Sequence, residues 1–232
     1  MLIALQTELQ NWAQPQRAAV VSRYFRTGPG QYGEGDVFIG IPNPQLRQLA
    51  KKFLNLPPDD IHTLLNHPIH EYRFVALLIL VGRFRQAGVQ ERREWCELYL
   101  ANLPKVNNWD LVDVSARDIL GEFLLTLDRS LLDQLAESGH LWSQRVAIIA
   151  TQAFIRRGQF DDALRLAEYY LTHRHDLIHK ASGWTLREIG RKNGSVLRTF
   201  LSRFAPQMPR TMLRYAIEHL PEAERFFYRN QR

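Results

Sequence analysis

Trp109, Asp113, Arg145 and Trp184 are the side chains of this sequence whose types and spacing suit chemistry. Breaking an N-glycosidic bond builds positive charge on a sugar. A fixed carboxylate stabilises that oxocarbenium-like transition state while holding the attacking water. Asp113 is the candidate carboxylate. Indole faces carry negative quadrupolar potential, so Trp109 and Trp184 would attract a cationic sugar or a cationic base much as they attract an ammonium ion. The plainer readings stay open beside this one: a helix-borne aspartate as a surface salt-bridge partner, and each tryptophan as core.

What links the four is a repeat. The segments His70–Ala76, Asn107–Asp113, Leu141–Ala147 and Leu177–Gly183 each open a long helix of similar pattern. With Arg73, Trp109, Arg145 and Lys180 as equivalents they recur at steps of 36, 36 and 35 residues, the period of a helix-pair repeat. Equivalent positions of stacked repeats share one surface, so these four side chains are expected to form a stripe. One helical turn further on, the equivalents are Leu77, Asp113, Ile149 and Trp184. Two indoles, a carboxylate and a cation therefore fall in one neighbourhood, a poor composition for a dry core.

The elements that must position them read as nearly all helix. Apolar residues recur at helical spacing, and strand-like alternation is missing over any useful length. Helix starts are signalled at Asn43-Pro44, Pro57 to Asp60, Asp128 with Ser130, Asp161-Asp162 and Met208-Pro209, giving some twelve to fourteen helices. The fold class expected is all-α, a HEAT-like helical-repeat solenoid, curved, spanning residues 1–232 as a single domain. One stretch resists helix: Thr27–Pro42, dense in glycine, reads as an inter-helix connection. Its Gly28-Pro29-Gly30-Gln31-Tyr32-Gly33 satisfies the dinucleotide-binding glycine pattern by letter only, because a helix-like segment precedes it where that motif needs a strand.

Bulk properties narrow the partners. Thirty Lys and Arg against 24 Asp and Glu leave a formal charge of +6, which favours a polyanion. Arg145, Lys180, Arg187, Arg191, Lys192, Arg210 and Arg214 lie on helix-like segments of the C-terminal half and are available for phosphate contacts, solvated surface being the other reading. Cys96 is the single cysteine, which excludes an internal disulfide or a cysteine-rich zinc site and suits a buried apolar role. His175 and His179 could share a helix face as metal ligands, but no third ligand stands at suitable spacing; these, with His67, His70 and His173, read as surface histidines. Gln6, Glu8 and Gln10 interrupt the opening segment, against secretion, and the longest apolar run, Phe74–Gly82, is too short to span a bilayer.

At this point the chain resembles a known family. Asn108-Trp109-Asp110-Leu111-Val112-Asp113, then Trp142-Ser143-Gln144-Arg145-Val146-Ala147, then Lys180 through Glu188 with its Gly183-Trp184 are similar, in order and spacing, to the motifs of AlkD-type alkylpurine DNA glycosylases. The resemblance implies that Asp113 is the catalytic carboxylate, that Trp109 and Trp184 cradle the damaged nucleotide through its deoxyribose, and that Arg145 grips nearby phosphate. It implies Tyr24, within Arg23-Tyr24, near the lesion; Lys180 and Arg187 join the candidate DNA contacts by charge and placement. It further implies excision of N3- and N7-alkylpurines from double-stranded DNA without base flipping, a departure from the usual glycosylase strategy.

The expected partner is thus alkylated duplex DNA, with no cofactor, no metal and no membrane, for a monomer in the cytoplasm that joins the nucleoid when bound. Two other functions compete: a DNA-binding or damage-sensing module without chemistry, and a helical-repeat scaffold for another protein.

Overall fold

Residues 1–231 are described by a computed structural model, and every regular element among them is helical. A lone bridge between Val37 and Ile69 is the one β-type pairing among the described residues. The chain divides into two compact units, the first ending at Ser115 and the second beginning at Ala116.

The first unit comprises α1 (Leu2–Asn11), α2 (Pro15–Tyr24), α3 (Asn43–Lys52), α4 (Pro58–Leu65), α5 (His70–Gln86), α6 (Val89–Ala101) and α7 (Trp109–Ser115). Its axis is α5, which packs against α1, α3, α4, α6 and α7. A helix surrounded in this way must be apolar almost all round. Phe74 through Leu77, Ile79 through Val81 and Phe84 are accordingly buried. The second unit comprises α8 (Ser130–Glu137), α9 (Leu141–Ala150), α10 (Gln152–Arg156), α11 (Asp161–Tyr169), α12 (Asp176–Lys192), α13 (Gly194–Phe204), α14 (Arg210–Ala216) and α15 (Glu222–Asn230). Here α12 is the axis, packed on α9, α10, α11, α13 and α14.

Each helix start expected from proline, aspartate or serine falls within two residues of an observed one, at α3, α4, α8, α11 and α14. At α8 the cause is visible: the Asp128 carboxylate accepts from the backbone N–H of Ser130 at 3.0 Å. The four repeat blocks open α5, α7, α9 and α12, but only α5 and α12 run unbroken for 17 residues. After α7 the backbone widens into a π turn at Arg117–Gly121, with the Gly121 N–H on the Ala116 carbonyl at 2.9 Å. After α9 the helix is interrupted at Thr151, whose hydroxyl bonds back to the Ile148 carbonyl at 2.7 Å.

Close helix approach in the second unit depends on glycine. A Cβ on Gly183 would lie 2.4 Å from the Met212 carbonyl oxygen and 2.6 Å from the Tyr215 Cβ. Because the obstruction is backbone of α14, Gly183→Ala is expected to destabilise the protein by about 1–3 kcal/mol, measurable as a lowered urea midpoint at unchanged slope.

The glycine-rich segment is more than a connection. Gly30, Gly35 and Gly40 hold φ of 71°, 83° and 84°, a region that L side chains avoid. Its second half is fastened to the start of α5: the Val37 carbonyl accepts the His70 N–H at 2.8 Å, and the Glu71 carboxylate accepts the N–H groups of Ile39 and Gly40 at 3.1 and 2.7 Å. The buried Glu71 side chain thereby serves as an anion cradled by loop amides. Gly28–Gly33 follow α2 and not a strand, so the dinucleotide pattern has none of the structural context it requires.

Candidate functional site

Each unit carries part of the expected set. In the first, α7 begins at Trp109 and presents Asp113 one turn later, so indole and carboxylate share a helix face. Both side chains are half-buried. The indole lies flat on Phe25, with ring centroids 5.0 Å apart and planes 6° from parallel. Tyr24, 67% exposed, stands edge-on to the same indole at 6.0 Å. Tyr24, Trp109 and Asp113 are thus neighbours at the surface of one unit.

Behind Trp109 lies a chain of buried charges that sequence reasoning missed. Asp36, from the glycine-rich segment, meets His70 Nδ1 at 3.0 Å, accepts from the Asn108 amide at 2.8 Å and pairs with the Arg73 guanidinium. His70 Nε2 in turn meets Asp110 at 2.8 Å. His70 is 2% exposed, so the expectation of a surface histidine is corrected: only an imidazole can join two carboxylates through opposite ring nitrogens. Burial disfavours its charge, yet Asp110 and Asp36 outweigh that and raise its pKa to about 9. Burial likewise opposes the Asp36 charge, but the hydrogen bond and charge of His70, the charge of Arg73 and the Asn108 amide together hold its pKa below the usual value. Two cations facing two carboxylates leave the cluster neutral, which is how so many ionisable groups are tolerated inside.

Arg73 itself is 4% exposed, with Nη1 donating to the carbonyls of His67 and Pro68 at 2.9 and 3.0 Å. The expected exposed stripe therefore fails at Arg73. It fails again at Arg145 of the second unit, also 4% exposed, whose Nη1 donates to the Leu177 carbonyl at 2.6 Å. In both cases a backbone carbonyl at the end of a neighbouring segment accepts from the guanidinium in place of water. Leu77 and Ile149, the equivalents of Asp113 and Trp184, are fully buried, so the register alone does not set exposure.

In the second unit Trp184 and Arg187 line a cleft of about 500 Å³ together with Arg117, Arg156, Arg191 and Lys192. Glu188 is the one carboxylate in the lining, and Arg187 also pairs with Glu218. Arg117 and Arg156 also pair with Asp118, and Arg187 and Arg191 reach Glu188. The cations around this indole are thus partly neutralised while still outnumbering the carboxylates beside them, a setting that suits an anion next to an apolar or cationic group. Lys180 does not line it; half-exposed, it pairs with Asp176 at 2.9 Å across one turn of α12. Sequence reasoning did not name Arg117 and Arg156 here; the fold brings them beside Trp184. Cys96 is fully buried, and burial with the nearby Glu97 pushes its thiol up to about 12 despite Arg93. No group of three or more histidine, cysteine or acidic side chains is arranged to hold a metal ion among the described residues. No helix among them is long and apolar enough to cross a membrane.

A solved structure described as a predicted DNA alkylation repair enzyme from Enterococcus faecalis superposes with a TM-score of 0.71 at 20% identity, covering 90% of this chain and 97% of that one. That is a likeness of fold. No curated protein matches the sequence. The family described as DNA alkylation repair enzyme matches residues 5–220. Because that match leaves only the two ends of the chain outside it, this protein belongs to the DNA alkylation repair enzyme family.

Proposed function

We propose that this protein hydrolyses the N-glycosidic bond of positively charged N3- and N7-alkylpurines in duplex DNA, without turning the base out of the helix. The observation that carries the proposal is the pairing of Asp113 with the face-stacked, partly exposed indole of Trp109 on α7. In the reaction the C1′–N bond breaks with its electron pair going to the base. A cationic alkylpurine therefore departs neutral and needs no proton from the protein. The charge left on the deoxyribose is stabilised by the Asp113 carboxylate, which also orients water for attack at C1′ and takes its proton. The Trp109 ring adds cation–π attraction. Neutral bases would gain less from that attraction and would leave as poor anions, which supports selectivity for alkylated ones.

Backbone contacts supply the affinity. Arg117, Arg156, Arg187, Arg191 and Lys192 in the second unit suit phosphodiester oxygens. Arg145, being buried, serves better as a support for the α12 region than as an exposed phosphate ligand.

The test is incubation with duplex DNA carrying N7-methylguanine and measurement of free base. Release above the spontaneous rate is expected. Salt-dependent duplex binding with no release would overturn the catalytic reading and leave a DNA-binding module.

A further inference from the structure

The buried charges of the first unit reach Trp109 from both sides. The Asn108 amide donates to Asp36 at 2.8 Å, and its oxygen accepts the backbone N–H of Trp109 at 2.9 Å. On the far side, Asp110 is held by His70 at 2.8 Å and accepts the Leu111 N–H at 2.9 Å. The residue before Trp109 and the residue after it therefore hang from one bonded pair, Asp36 and His70. The ring is referred to the same imidazole by a second route. Trp109 stacks on Phe25, Phe25 stacks on Phe38 at 4.9 Å, and Phe38 stacks on His70 at 4.4 Å. Gly33 lets the glycine-rich segment close over this assembly: a Cβ there would lie 2.4 Å from the Phe25 carbonyl oxygen and 3.4 Å from the Asn108 amide nitrogen.

Stability alone does not call for this arrangement, since apolar residues of similar volume commonly hold a core at least as well as a buried ionic cluster. What the ionic cluster adds is direction, because hydrogen bonds fix an angle where apolar packing tolerates slippage. We propose that Asp36, His70 and Phe25 are positioning residues that set the plane of the Trp109 indole and, through the first turn of α7, the approach of the Asp113 carboxylate. The glycine-rich segment is then part of the frame of the site. All three side chains are buried and act through Trp109, not on substrate. The kinetic consequence rests on the glycosidic reading given above; the structural one does not.

The experiment uses the full chain labelled with 5-fluorotryptophan, which places one ¹⁹F probe on each of the five tryptophans. Trp109→Phe assigns the resonance of interest. Asp36→Asn and Phe25→Leu are each expected to shift and broaden the Trp109 resonance while leaving those of Trp142 and Trp184 in place. The single-turnover rate of base release should fall by about 10–100-fold, with little change in the DNA concentration that half-saturates it. A Trp109 resonance unmoved in both variants overturns the proposal, as does a general movement of all five resonances. Should Asp36→Asn fail to fold, Phe25→Leu, which leaves every ionic contact intact, decides the matter. If the unaltered protein releases no base but the Trp109 resonance responds as described, the positioning role stands and the glycosidic reading falls.

Discussion

Asp113→Asn is expected to lower the single-turnover rate of N7-methylguanine release by about 10²–10³-fold while leaving duplex affinity within about twofold. The amide has the size and shape of the carboxylate, so α7 and its stack on Phe25 persist. What is lost is the negative charge, at the moment when the sugar carries a positive one. Charge stabilisation exerted only in the transition state lowers the rate constant without weakening binding, so the effect belongs in the rate of the chemical step. Burst or single-turnover assays at saturating protein separate the two. Equal release by both proteins would remove Asp113 from this role while leaving hydrolysis standing.

The second large effect concerns pH. In the unfolded chain His70 titrates near the ordinary histidine value of 6.5, whereas in the folded protein Asp110 and Asp36 keep it protonated up to about 9. The folded state thus binds this proton more tightly. Its contribution is complete below pH 6.5, declines as pH rises beyond that, and is gone above about 9. By linkage it amounts to about 3 kcal/mol. The groups facing the ring are Asp36, Asp110 and, through Asp36, Arg73. Once deprotonated, the imidazole can donate to only one of its two carboxylates and presents a lone pair to the other. Denaturant unfolding followed between pH 6 and 9.5 should show this decline, and His70→Gln should remove most of it by subtraction from the parent curve. A pH profile identical in parent and variant would contradict a protonated imidazole bridging Asp36 and Asp110.

Much of the fold was legible in the residues because helix type, start and register are local properties. Apolar spacing near 3.6 residues marks α3 or α11 without reference to any other element, and proline or aspartate marks where they begin. The 36-residue step likewise located the openings of α5, α7, α9 and α12, and with them the juxtaposition of Trp109 and Asp113 on one helix face. Family membership, too, was readable from three short blocks.

Tertiary structure alone decided which of those positions are open to solvent and which ions are shared. Arg73 and Trp109 are equivalents by count, yet one guanidinium is sealed among carbonyls while the indole remains partly exposed. Asp36 gave no signal because its partners lie 34, 37 and 72 residues away, and nothing within its own segment announces a carboxylate bound for the interior. The histidine that it meets looks like any surface histidine until Asp110 closes on the opposite nitrogen. Periodicity is a property of a chain and its nearest turns, but burial and protonation are set by whichever distant groups the fold packs against a side chain. The glycine-rich segment, irregular by every local rule, is where that difference was greatest.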